Sequence, residues 1–183
     1  IMVAAALICS APVFGQVVTI DKEAIQKKLE KADADAANPK KNVKAAPWLA
    51  KGKAYYEAAV AGTSQLLPNT DEKTLEISFK KAKKTENKKI GEQQLKVMTY
   101  PTFTAYMENG ALKYYINTLS FTGNELQTAV DSYVKAVEVD PKAKDKAKAG
   151  LMDVSNEYRT IGGNYYGIME FGKAADAFYK AYE

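Results

Sequence analysis

The sequence predicts an all-helical protein, and three observations carry that expectation. Alanine, lysine, glutamate and tyrosine are plentiful, against 11 glycines and 6 prolines in 183 residues, a mixture that favours helices. Apolar residues recur at helical spacing, as in GKAADAFYKAYE at residues 172–183, where Ala174, Phe178 and Ala181 fall at i, i+4 and i+7. No run alternates convincingly with period two; TYPTFTAYM at residues 99–107 comes nearest. With 46% hydrophobic and 26% charged residues the chain is globular in composition and long enough for one domain with a sizeable core.

The elements are expected in the following order. The opening IMVAAALICSAPVFGQ is uncharged, with an apolar core of signal-peptide length, Pro12 breaking it, and a cleavage site after Gly15. Residues 1–15 therefore read as a signal peptide whose basic start is missing, and the mature chain as exported to the periplasm or cell envelope of a bacterial-type cell. The apolar stretch is too short to span a bilayer. Cys9, the single cysteine, leaves with it. Residues 16–44 hold a leading helix, with Asp21 as N-cap, Ile25 and Leu29 as its stripe, and Asn38-Pro39 as its end. A second helix is expected over residues 40–62, closed by Gly62, and a third over DEKTLEISFKKAKK, after the loop holding Leu66, Leu67 and Pro68. The lysine run KKAKKTENKK at residues 80–89 reads as a solvated helix end. Pro101 suits the first position of a helix over residues 101–117. Residues 124–140 form a helix stopped by Pro141, residues 142–166 a long one, and GKAADAFYKAYE the last.

A repeat runs beneath these elements. Trp48 precedes Gly52 by four residues, Tyr106 precedes Gly110, and Tyr158 precedes Gly162. Each glycine is followed by a tyrosine pair, Tyr55-Tyr56, Tyr114-Tyr115 and Tyr165-Tyr166. A second signature follows each time: Leu75, Phe79 and Ala82; Ala129, Tyr133 and Ala136; Ala174, Phe178 and Ala181. An interior helical glycine costs about 1 kcal/mol relative to alanine, so glycines at matching places imply close helix contact, with an aromatic knob between small neighbours. Such pairs need a neighbour on each side to bury their apolar surface.

These positions resemble the tetratricopeptide repeat, whose pattern is W-x2-L-G-x2-Y…A-x3-F…P. The last copy follows it closely, while Lys51 and Asn109 replace the leucine in the others and the copies start 58 and 52 residues apart. The resemblance implies antiparallel helical hairpins stacked as a right-handed solenoid, with divergent repeats at residues 45–90 and 91–141, a last repeat at residues 142–183, and further repeats beyond. It also implies a protein or peptide partner held in a concave groove. Tyr56, Tyr114 and Tyr166 share one offset, about 80° from the packed stripe, and are expected to line that groove, with Asn156 and Arg159 as polar anchors. The reading is a protein-binding scaffold, with a permanent subunit of an envelope assembly or secretion complex, or an aromatic-lined carbohydrate-binding module, as alternatives.

Catalysis is not expected. The chain has no histidine, so the commonest general base and metal ligand is missing. GTSQ and GGNYYG lack the ending of a phosphate loop. Asp33 and Asp35 point to different helix faces. No metal and no cofactor are expected. The net charge of +4 rests almost wholly on lysine, with Arg159 the one arginine, which argues against nucleic acid.

Overall fold

Six α-helices and four strands make up residues 17–182, the part of the chain that the computed structural model describes. The expected signal peptide lies outside the described residues. Helix α1 (Lys22–Ala37) starts where Asp21 Oδ1 accepts from the Ala24 amide at 2.9 Å, and it buries Leu29 and Ala36. Helix α2 (Ala45–Val60) follows. Helix α3 (Glu72–Phe79) is capped by Asp71, which takes the Thr74 amide at 3.0 Å and the Thr74 hydroxyl at 2.7 Å. Strands β1 (Lys84–Ile90), β2 (Gln93–Thr99), β3 (Phe103–Glu108) and β4 (Ala111–Asn117) come next. Helix α4 (Glu125–Val139), a 3-10 turn at Pro141–Ala143, α5 (Lys144–Gly167) and α6 (Phe171–Tyr182) complete the order.

The sheet overturns the all-helical expectation and with it the solenoid. Residues 84–117 form an antiparallel meander in the order β1-β2-β3-β4. Its turns explain why. Asn109 and Gly110 both have positive φ, 52° and 82°, as a two-residue type I′ hairpin turn demands, and Asn-Gly is the sequence that best supplies it. The repeat spacing would put Gly110 in a close helix contact, yet a Cβ there would meet nothing within 4 Å; the glycine serves the turn. Gly91, with φ of 60°, opens the two-residue turn between Ile90 and Gln93. Pro101 sits in the β2–β3 turn, where the Tyr100 amide donates to the Phe103 carbonyl at 2.8 Å, and starts no helix. Tyr106, Tyr114 and Tyr115 are therefore strand residues, and the middle repeat does not exist as a helical hairpin. Helix α3 ends at Phe79, and most of the lysine run becomes β1.

One face of the sheet packs on α3. Leu66 and Leu75 join Met98, Tyr100, Phe103, Ala105, Met107 and Leu112 there, all buried. Tyr100 stacks on Phe103 at 4.6 Å between centroids, and Phe79 meets Phe103 edge-on at 4.9 Å. The opposite face, with Leu95 and Val97 buried, turns toward the end of α5, where a Cβ on Gly167 would lie 2.1 Å from the Tyr114 ring.

The helices form the second layer, with α2 packed between α1 and α4, and α5 between α4 and α6. Residues 61–124 leave the end of α2 and return at the start of α4, so the α3–sheet unit is an insertion between two antiparallel helices. Asn117 ties its return to its departure, donating to the Ala59 carbonyl at 2.6 Å and accepting from the Leu119 amide at 2.9 Å. Glu125 then fixes the entry into α4: its carboxylate takes the Phe121 and Thr122 amides and the Ser120 hydroxyl. Burial raises the Glu125 pKa, but these donors outweigh it and hold the carboxyl below the usual range.

Candidate partner-binding surface

The insertion re-pairs the repeat signature. Trp48, Gly52 and Tyr55 on α2 do not meet Leu75, Phe79 and Ala82, which belong to the inserted unit. They meet Ala129, Tyr133 and Ala136 on α4. A Cβ on Gly52 would fall 2.8 Å from the Tyr133 ring, and one on Gly150 of α5 would fall 2.2 Å from it. The Tyr133 ring is thus held between glycines on two different helices and is 5% exposed. Tyr55, buried beside it in the same cluster, donates its hydroxyl to Asp33 of α1 at 2.8 Å.

The α5–α6 pair repeats the device once. A Cβ on Gly162 would lie 2.7 Å from the Phe178 ring, Ala174 and Ala177 are buried, and the Ser155 hydroxyl donates to the Ala181 carbonyl at 2.8 Å. Here the ring has a helix on one side only, and Phe178 stays 42% exposed. At about 100° per residue, Ala174, Ala177 and Ala181 cover an arc of about 60° on α6. Phe178, Phe171, Tyr182 and Tyr179 continue around roughly the next 100°. Phe171 is 54% exposed and Tyr182 90%. The remaining side carries Lys173, Asp176 and Lys180; Lys173 pairs with Glu170 at 3.3 Å, and Lys180 lies over the Tyr158 ring at 5.8 Å. The apolar surface of α6 is thus about three times as wide as the alanine arc buried on α5.

The structure disperses the expected tyrosine ladder. Tyr56 is half-buried between α2 and α5, Tyr114 is on β4 against Gly167, and Tyr166 is exposed at the end of α5, its ring 5.4 Å from Phe171. The segment expected to supply the middle wall of the groove, with Tyr114, is the strand β4 rather than a helix, and it docks on α5: the Tyr115 amide donates to Asn164 Oδ1 at 3.2 Å. Tyr56 and Tyr115 both sense the Glu157 carboxylate. Burial raises both phenols and pushes the Glu157 carboxyl up too. Asn156 and Arg159 are exposed, away from this group, and among the described residues Arg159 makes no ion pair. Of the expected residues only Tyr166 borders the aromatic arc of α6. Phe171 and Tyr182 were missed as site residues, although a helical wheel of residues 171–182 displays both beside Phe178.

Among the described residues no group of three or more His, Cys, Asp or Glu side chains is placed to hold a metal ion, and no helix is long and apolar enough to cross a membrane. No protein-family model matches the chain, and neither a curated protein nor a solved structure does.

Proposed function

We propose that this protein is an exported, non-catalytic scaffold of the bacterial cell envelope that holds a partner protein against the aromatic arc of α6. The observation that carries the reading is the half-covered Phe178: the knob that α2 and α5 enclose at Tyr133 has a helix on one side only at Phe178. A helix from a partner laid along Phe171, Phe178 and Tyr182 would supply the missing side, the mode in which an amphipathic helix presents anchors one and two turns apart. Contiguous exposed aromatic surface of this kind marks interfaces. Export rests on the signal-like segment at residues 1–15. The concave groove of a solenoid is set aside, because the segment that would form its middle wall is part of the antiparallel sheet.

The apolar character of the arc also suits a long-lived contact, so a permanent subunit of an envelope assembly is the second reading. Both are tested by crosslinking capture from envelope extract with the mature full-length protein, a Phe171→Ser, Tyr182→Ser double variant and a Tyr56→Ala variant. Loss of one partner in the α6 variant, with the Tyr56 variant unaffected, supports the reading; equal capture by all three refutes it. The lifetime of the captured complex then separates a transient partner from a permanent one.

A further inference from the structure

The two edges of the sheet are finished differently. The β4 edge is sealed: the Asn69 amide donates to the Leu112 carbonyl at 2.9 Å, the Leu112 amide to the Thr70 carbonyl at 2.8 Å, and Asp71 bridges to Ala111. The β1 edge is open. Strand β1 pairs with β2 in unbroken register from Lys84↔Thr99 to Ile90↔Gln93, it contains no proline, and among the described residues no backbone hydrogen bond reaches its outer side. About half of its amides and carbonyls therefore point outward without a protein partner.

Charge selects what fits there. Residues 80–89 hold six lysines and one acid, Glu86, a net charge of +5. Lys84 and Lys88 are spent on Glu86, at 2.7 and 2.8 Å, and together they hold its carboxyl down at about 2. Lys83 and Lys89, like Lys80 and Lys81, are exposed and make no ion pair among the described residues. Lys83 and Lys89 bracket the strand on the side that faces α3, by the alternation of the pleat. Pairing of β1 with a second copy of itself would set two such +5 runs side by side, which like-charge repulsion opposes. The lysines also follow a line on both sides of one strand rather than a plane, which suits a peptide better than a membrane surface. We infer that β1 is a docking edge for an extended acidic peptide segment that adds to the sheet as a fifth strand, its carboxylates meeting Lys83 and Lys89. This inference is independent of the α6 surface.

The test uses the mature protein and three synthetic octapeptides: alternating valine and glutamate, the same peptide N-methylated at alternate residues, and alternating valine and lysine. Amide exchange and chemical shifts of residues 84–90 are followed by NMR during titration. The expected result is saturable protection of β1 amides by the acidic peptide alone. A Lys83→Gln, Lys89→Gln variant, unchanged in fold by circular dichroism, should bind it about fivefold or more weakly. Equal binding of the N-methylated peptide would reduce the site to bulk electrostatics and overturn strand addition. Absence of any β1 response at millimolar peptide, protection that instead tracks protein concentration, or preferential protection by anionic phosphatidylglycerol vesicles would overturn it as well.

Discussion

Tyr133 and Phe178 occupy equivalent places in two helical pairs and have opposite fates. Each ring lies against a glycine on a neighbouring helix, Gly52 for the first and Gly162 for the second. Tyr133 has a second glycine, Gly150, closing over its other face, and is 5% exposed; Phe178 has none and is 42% exposed. The same small–large–small signature therefore makes core where a third helix packs on it and leaves surface where, among the described residues, none packs. Burial in this fold is decided by the neighbour rather than by the residue pattern. That contrast is what turns α6 into a candidate interface.

The contrast can be broken from the core side first. Tyr133→Ala should cost about 3–5 kcal/mol, because two glycines facing an emptied slot cannot refill it, whereas Phe178→Ala should cost about 1 kcal/mol or less, since solvent already reaches that ring. Urea unfolding of both variants measures the difference; equal losses would mean that the two seams are alike after all.

Alkaline titration probes the same ring by its hydroxyl. Burial, then the negative charges of Asp153 and Glu57, push the Tyr133 phenol up to about 12. Burial, followed by the hydrogen bond to Asp33, does the same for Tyr55, and burial, followed by the charges of Glu76 and Glu72, for Tyr100, both also to about 12. The unfolded chain loses these protons near pH 10, so between pH 10 and about 12 it binds fewer protons than the folded protein, and stability falls as pH rises. The tyrosinate absorbance that a Tyr133→Phe variant lacks, read as a parent-minus-variant difference, should appear together with loss of helix signal in that window; its appearance well before unfolding would contradict the enclosure of Tyr133.

Smaller effects separate the glycines. Gly150→Ala forces a Cβ to 2.2 Å from a ring with nowhere to go and should cost about 2 kcal/mol net of the helix-propensity gain. Gly162→Ala meets a ring that can swing outward and should change stability by less than about 1 kcal/mol. Gly110→Ala should cost about 1 kcal/mol, from its positive φ alone. Thermal unfolding of the three variants gives the ranking, and Gly162→Ala as damaging as Gly150→Ala would remove the asymmetry.

How much of this was legible in the sequence differs by element. Helices α1, α4, α5 and α6 were marked by Asp21, by Pro141 and by apolar residues at helical spacing, signals local to each segment. The sheet was marked too, by Asn109-Gly110 between FTAYME and ALKYYIN, but Tyr106 and Gly110 share the four-residue spacing of Trp48–Gly52 and Tyr158–Gly162, which do lie in helices, and that spacing masks the turn. Strand β1 carried no apolar alternation at all, because it is an edge studded with lysine. The pairing of α2 with α4 could not be read from spacing, since the two signatures it joins are separated by an insertion of ordinary domain-like composition. The surface arc of α6 was legible as a pattern, but its exposure depends on what stands beside it.

The most direct test is site-specific photocrosslinking in envelope extract from position 175, at the centre of the aromatic arc, with position 156, on the solvent side of α5, as control. If α6 is the interface, one partner is crosslinked from position 175 and not from 156. Crosslinking to the same partner from 156 and not from 175 would place the interface elsewhere and contradict it.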